Sequence, residues 1–159
     1  MRVLIISDTH GNHRNLNKVL ESVGKIDLLL HLGDVEGGEY YIEQVAGCPV
    51  HIVSGNNDFF VNLPEEEELW IGKYKVLMTH GHKYYVSMDT KRLKREAEKR
   101  GACIVMYGHT HRPDIDTGDS VMAINPGSLS YPRQPGRQAT YVIMNVDEKG
   151  EVKFSLHYI

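Results

Sequence analysis

The chain has 159 residues, a net charge of −3, and is 41% hydrophobic and 25% charged, the make-up of a single globular domain with room for a sizeable core. That balance speaks against a general nucleic-acid binder, whose domains are usually strongly basic. No apolar stretch approaches the ~20 residues needed to span a bilayer, so one domain over residues 1–159 with no membrane partner is expected.

In chain order, the apolar run Arg2–Ile6 predicts a strand that ends in Asp8-Thr9-His10. A helix is expected from Asn12 to Ser22, with Leu16, Val19, Leu20 and Val23 on one face. Leu28–Leu32 predicts a second strand ending in Gly33-Asp34, followed by a helix over Glu39–Val45. Val50–Val53 returns to the sheet and ends in Gly55-Asn56-Asn57-Asp58. Glu65–Glu68, just after Pro64, reads as an exposed turn leading into an edge strand. Lys75–Thr79 leads to His80-Gly81-His82, and a strongly charged helix from Asp89 to Arg100 is closed by Gly101, as C-caps prefer. The helix segment from Lys91 onward carries six basic residues and, with Asp89, three acidic ones, which reads as a solvated face. Ile104–Tyr107 precedes Gly108-His109-Thr110-His111. Then Val121–Asn125, Thr140–Val146 and Val152–Tyr158 predict strands, with a hairpin turn at Glu148-Lys149-Gly150. Parallel βαβ units early and antiparallel strands late indicate an α/β fold of two packed mixed β-sheets flanked by helices.

Five strands thus end in polar tips, and in open α/β sheets the carboxyl ends of strands are where ligands bind. Any one tip could be a helix cap, but five in one chain point to a shared site. Of the nine histidines, five fall in these tips, while His13, His31, His51 and His157 fall outside and read as structural or exposed. Asp oxygens, imidazole nitrogens and an Asn carbonyl suit borderline divalent ions such as Mn²⁺, Fe²⁺, Zn²⁺ or Ni²⁺. Asp34, alone at a strand end, is the natural bridge between two ions. Asp8 and His10, two apart on an extended segment, point the same way and can grip one ion. His109 and His111 repeat that spacing, and His80 and His109 are expected to face solvent and ligand more than core.

In the order D-x-H, G-D, G-N-x-D, H, G-H-x-H, the chain resembles the calcineurin-like metallophosphoesterases, from Asp8 to about Arg133. Asn125-Pro126-Gly127-Ser128 followed by Pro132-Arg133 makes it most similar to the small one-domain bacterial and archaeal phosphodiesterases of that superfamily. The resemblance implies a two-sheet αββα sandwich and two divalent metals per subunit, Mn²⁺ foremost, with Ni²⁺, Zn²⁺ or Fe²⁺ as alternatives. It implies Asp8, His10, Asp34 and His111 on one metal and Asp34, Asn56, His80 and His109 on the other, with a bridging water or hydroxide that attacks phosphorus in line. The expected substrate is a small phosphodiester.

One position departs from the pattern. The third block usually reads G-N-H-D, and its His helps protonate the leaving oxygen or hold the phosphate; here that place is Asn57. An amide donates a hydrogen bond but transfers no proton near neutral pH. Asn57, Asp58 and His82 are therefore the candidate catalytic group beyond the metals, with His82 the nearest substitute donor by sequence. Asn57 and Arg133 are the candidate substrate contacts, Arg133 because a guanidinium can donate two parallel hydrogen bonds to phosphate. Arg137 flanks the same proline-rich turn.

Two alternatives stand beside the phosphodiesterase. One is a phosphomonoesterase; the other is a non-catalytic scaffold, as in the eukaryotic retromer subunit of the same fold. Retention of both His109 and His111 argues against the scaffold. Cys48 and Cys103 lack metal-type spacing and read as buried reduced thiols, and the N-terminus enters a strand at once without a signal peptide, so a cytoplasmic location is expected. The aromatic pairs Tyr40-Tyr41, Phe59-Phe60 and Tyr84-Tyr85 follow three of the tips. They suit either core packing or an aromatic rim, for an aryl leaving group or a homo-oligomer interface.

Overall fold

A computed structural model describes all 159 residues. Strand β1 (Arg2–Ile6) lies at the centre of one five-stranded sheet, between β9 (Thr140–Val146) and β2 (Leu28–His31). Strand β3 (Val50–Ile52) and strand β10 (Val152–Tyr158) form that sheet's two edges. The pairs β1–β2 and β2–β3 are parallel; β1–β9 and β9–β10 are antiparallel. The second sheet runs β4 (Glu66–Ile71), β5 (Tyr74–Thr79), β6 (Ile104–Met106), β8 (Met122–Pro126), β7 (Pro113–Asp116), with β5–β6 and β6–β8 parallel.

Strand alternation explains the layering. Val3 and Ile5 pack between the two sheets with Leu28, Leu30, Val76, Met78, Ile104 and Met106. Leu4 and Ile6, on the opposite face, pack against Leu16, Val19 and Ile42 of helices α1 (Arg14–Val23) and α2 (Glu39–Val45). On the far side, Leu77 and Val105 cover Leu93 and Ala97 of α3 (Lys91–Lys99). The layers are helix, sheet, sheet, helix, as expected. No helix is long and apolar enough to cross a membrane.

Several boundaries differ for identifiable reasons. Helix α1 begins at Arg14 rather than Asn12, because the Asn12 side chain accepts the Arg14 N–H at 3.1 Å and turns the chain before the helix. Asp89 does the same for Lys91 at 2.9 Å, so α3 begins two residues late. The glutamate run is strand β4 itself for the most part. Glu66 meets Arg100, Glu67 meets His51 and Glu68 meets Lys75, so pairing lets an acidic run serve as an edge strand. Strand β7 has no counterpart in the sequence expectation. It opens on Pro113 and sits at a sheet edge, where a missing N–H costs no ladder hydrogen bond. Cys48 and Cys103 are free, as expected, but only half-buried.

Candidate metal centre

Strands β1, β2, β3, β5 and β6 deliver their carboxyl ends to one rim of the sandwich, and each tip bends sharply there. Asp8, His10, Asp34, His109 and His111 all have positive φ, from 47° to 68°. Non-glycine residues adopt that conformation rarely and at a cost, chiefly where the surrounding structure enforces it for function. Glycines make the close approach feasible. A Cβ on Gly55 would collide with Oδ1 of Asp34, and one on Gly108 would collide with the Ser7 hydroxyl and lie 3.0 Å from Oδ2 of Asp8.

The ligand atoms of Asp8, His10, Asp34 and His111 all lie within 4.8 Å of one another. Nε2 of His111 stands 3.1 Å from Oδ1 of Asp8, and Nε2 of His10 stands 3.8 Å from Oδ2 of Asp34. On the other side of Asp34, Nε2 of His80 is 3.5 Å from the same Oδ2 and 3.1 Å from Oδ1 of Asn56. Nδ1 of His109 is 2.9 Å from that Asn56 oxygen. The seven expected ligands are therefore brought together in two overlapping groups that share Asp34. His80 departs from expectation in being fully buried; His109 is half-exposed.

Hydrogen bonds on the outer ring nitrogens show what these groups suit. Nδ1 of His80 donates to the Leu32 carbonyl at 2.7 Å, and Nδ1 of His111 to the Tyr131 carbonyl at 2.7 Å. Nδ1 of His10 donates to the Glu36 carboxylate at 2.6 Å. With those protons turned outward, all three neutral rings aim a lone pair inward. The inward lone pairs face carboxylates, an amide oxygen and one another, with Nε2 of His10 and His111 only 3.4 Å apart. Neither oxygen of Asp8 has a hydrogen-bond donor although the residue is fully buried. Acceptor facing acceptor in a buried cluster is repulsive unless a cation lies between them, so the donor set fits divalent metal.

Four residues support the ligands in roles not read from the sequence, where Asn125 and Ser128 stood only as part of a family-like loop and His31 as structural or exposed. His31, fully buried, accepts the Gly33 N–H on Nδ1 at 3.2 Å and so donates from Nε2 to the Thr9 hydroxyl at 2.9 Å. It thereby joins the Asp8 and Asp34 segments, and burial lowers its pKa to about 4, keeping it neutral. Ser128 donates to the Asp8 carbonyl at 2.9 Å, and Asn125 to the Gly108 carbonyl at 2.9 Å. Glu36 orients His10. His31 gave no pattern, since a lone histidine inside an apolar strand reads as packing; Glu36, two residues past Asp34, was the one signal available. Glu36→Ala should weaken metal binding at the Asp8–His10 side by roughly 10–100-fold, with Glu36→Gln in between, as measured by chelator competition. Equal affinity in both variants would mean that His10 needs no such partner.

The other expected residues are placed as follows. Asn57 donates its backbone N–H to Oδ1 of Asp34 at 2.9 Å and its side-chain amide to Oδ2 at 2.7 Å. Asp58 accepts the N–H groups of Val35, Glu36 and Gly55 at 3.2, 2.7 and 2.7 Å. Both its oxygens are thus committed to backbone, and it ties two ligand loops together. His82 occupies a 3₁₀ turn with its ring centroid 5.5 Å from that of His80 and 6.1 Å from that of His109. Arg133 lines a cavity together with His10, His111 and Tyr131. Two aromatic pairs split. Tyr41 stacks on His13 and Tyr84 bonds Glu66, while Tyr40 and Tyr85 are exposed; Phe59 and Phe60 are both exposed.

A two-sheet α/β sandwich whose strand ends gather Asp, His and Asn acceptors at one rim defines a metal-binding hydrolase class. Residues 1–149 match the sequence profile of the calcineurin-like phosphoesterase superfamily domain. The chain belongs to that superfamily. It is 33% identical over 148 residues to the probable metallophosphoesterase YsnB of Bacillus subtilis, covering 92% of this chain and 85% of that one. A predicted phosphoesterase from Streptococcus pneumoniae superposes with a TM-score of 0.79 at 28% identity, covering 99% of this chain and 97% of the other. Zinc-complexed Vps29 from Entamoeba histolytica superposes with a TM-score of 0.78 at 26% identity, covering 99% of both.

Proposed function

We propose that the protein is a metal-dependent phosphodiesterase whose Asp34 is shared by two divalent cations, Mn²⁺ foremost. The observation that carries this reading is the position of one oxygen. Oδ2 of Asp34 lies 3.8 Å from Nε2 of His10 and 3.5 Å from Nε2 of His80, between two converging acceptor groups. When bound, two such ions would lower the pKa of water and neutralise charge on the phosphoryl oxygens. The chain's own residues hold that arrangement. Asn57 clamps both oxygens of Asp34, Glu36 orients His10, and Asp58 and His31 fix the loops. Arg133 lines a cavity with His10 and His111, which supports a role in holding a phosphate oxygen. His82 is the group beside the cluster for delivering a proton to the leaving oxygen.

Without an imidazole at position 57, the leaving group departs with more negative charge. General acid assistance typically contributes ~10²–10⁴-fold and matters least for weakly basic leaving groups. The Mn²⁺-loaded protein should cleave bis(p-nitrophenyl) phosphate faster than p-nitrophenyl phosphate. It should cleave alkyl diesters poorly, with a steep dependence of kcat/KM on leaving-group pKa. His82→Ala should steepen the slope further. Asn57→His should not flatten it, because Asp58 is committed to three backbone N–H groups and the clamp on Asp34 is lost. A flat slope in the parent would assign protonation to another group. Metal binding alone does not separate this reading from a scaffold, since a Vps29 has been solved with Zn²⁺; absence of turnover on every diester would favour the scaffold.

A further inference from the structure

Beside His10 and His111 lies a cavity lined by Ser130, Tyr131, Pro132, Arg133 and Arg137, with no acidic side chain in its wall. A second cavity shares Arg133 and adds Arg112 together with Asp114. Elsewhere in this net-negative chain, six of the other fifteen Lys and Arg side chains pair with a carboxylate. Lys73, Lys75, Lys83, Lys94, Lys99 and Arg100 each have a carboxylate within 4.0 Å. Arg112, Arg133 and Arg137 have no carboxylate within that distance, and their guanidinium groups make no hydrogen bond within the protein. They are held at the site by backbone. The Arg133 N–H donates to the His111 carbonyl at 2.9 Å, and the Arg137 N–H closes a turn onto Gln134 at 3.0 Å. Pro135 and Gly136 occupy the centre of that turn; Gly136, with φ 81°, supplies the left-handed residue and Pro135 restricts the loop.

Charge counting gives these arginines a meaning. A diester carries one negative charge at its scissile phosphate, and the cluster that would meet it already holds the Asp8 and Asp34 carboxylates. Unpaired guanidiniums on one flank are then available to attract a further anionic group on the same substrate. From this we infer that the protein acts on phosphodiesters bearing a second phosphate group, which Arg137 binds while the scissile phosphate sits at the metal cluster beside Arg133. Free guanidiniums are suited to that role, because phosphate accepts two parallel hydrogen bonds from the fork of an arginine. The inference rests on the phosphodiesterase reading and adds the substrate class to it.

Two nucleotide esters with the same leaving group test it: thymidine 5′-(p-nitrophenyl phosphate) with a free 3′-hydroxyl, and the same ester with a 3′-phosphate. With the Mn²⁺-loaded protein, the 3′-phosphorylated ester should have a kcat/KM higher by about tenfold or more, mainly through KM. Arg137→Ala should lower that ratio by about tenfold, and Arg137→Lys should restore part of it. A ratio near one in the parent, or a ratio unmoved in Arg137→Ala, would overturn the inference while leaving the phosphodiesterase reading intact. Binding of thymidine 3′,5′-bisphosphate against thymidine 5′-phosphate, measured by calorimetry, gives a second readout. If no ester and no bis(p-nitrophenyl) phosphate is turned over, the enzyme reading fails, and equal affinity for the two nucleotides would still sink the proposed phosphate subsite.

Discussion

Asp34→Asn is expected to remove metal and turnover together while the fold stands. The carboxylate is 1% exposed, and its Oδ2 is the only oxygen placed between both ligand groups. An amide of the same shape keeps one oxygen for the Asn57 backbone N–H but loses the charge that two cations would share. It also puts an NH₂ in place of Oδ2, between both of them. Turnover should fall by roughly 10³–10⁵-fold, on the scale of several kcal/mol of transition-state charge stabilisation. In chelator-treated protein the melting temperature should move by no more than about 3 °C, because the packed layers are untouched. Metal content by mass spectrometry and kcat on bis(p-nitrophenyl) phosphate check both halves. Full activity in this variant would remove the two-metal arrangement.

The second large effect is expected at His109. Its ring is half-exposed, its Nδ1 lies 2.9 Å from the Asn56 oxygen, and the rings of His80 and His82 stand 5.2 and 6.1 Å from it. His109→Ala should lower kcat by about 10²–10⁴-fold through loss of charge stabilisation at one cation. The metal-free melting temperature should stay near that of the parent, and only the added stability from bound metal should shrink. His80 is the poorer choice for this test. It is fully buried and donates to the Leu32 carbonyl, so its removal leaves a void and an unsatisfied oxygen as well as a missing ligand. An active but poorly folded His109→Ala would mark the residue as a packing element.

The fold was legible where side-chain period and burial agree. Strand β1 alternates two buried faces, and helix α2 was expected with the bounds it has. Legibility failed where one residue's chemistry overrides the period. Asn12 and Asp89 cap a turn instead of extending a helix, and Pro113 opens a strand that only an edge tolerates. The residues that gather at the rim were readable because polar tips follow apolar runs five times. What supports them was not, because those contacts join distant segments. Ser128 reaches Asp8 across 120 positions, and Asp58 reaches Glu36 across 22. No local pattern announces which of an aspartate's neighbours will be a backbone amide from another loop. For that reason Asp58 read as chemistry, while the three backbone N–H groups on its oxygens had no sequence signal.

The division of ligands between the sheets has a consequence for assembly. Asp8, His10, Asp34 and Asn56 leave strands of the first sheet, whereas His80, His109 and His111 leave strands of the second. Each ligand group draws on both, and His10 meets His111 from 101 positions away. A bound cation is thus a rivet through two plates rather than an ornament on one loop. It can be driven home only after the plates have closed, so the unfolded chain offers it no comparable seat. Sliding of one sheet over the other changes the distance between its two holders directly. Metal affinity in this protein is therefore a gauge of how tightly the sandwich is shut.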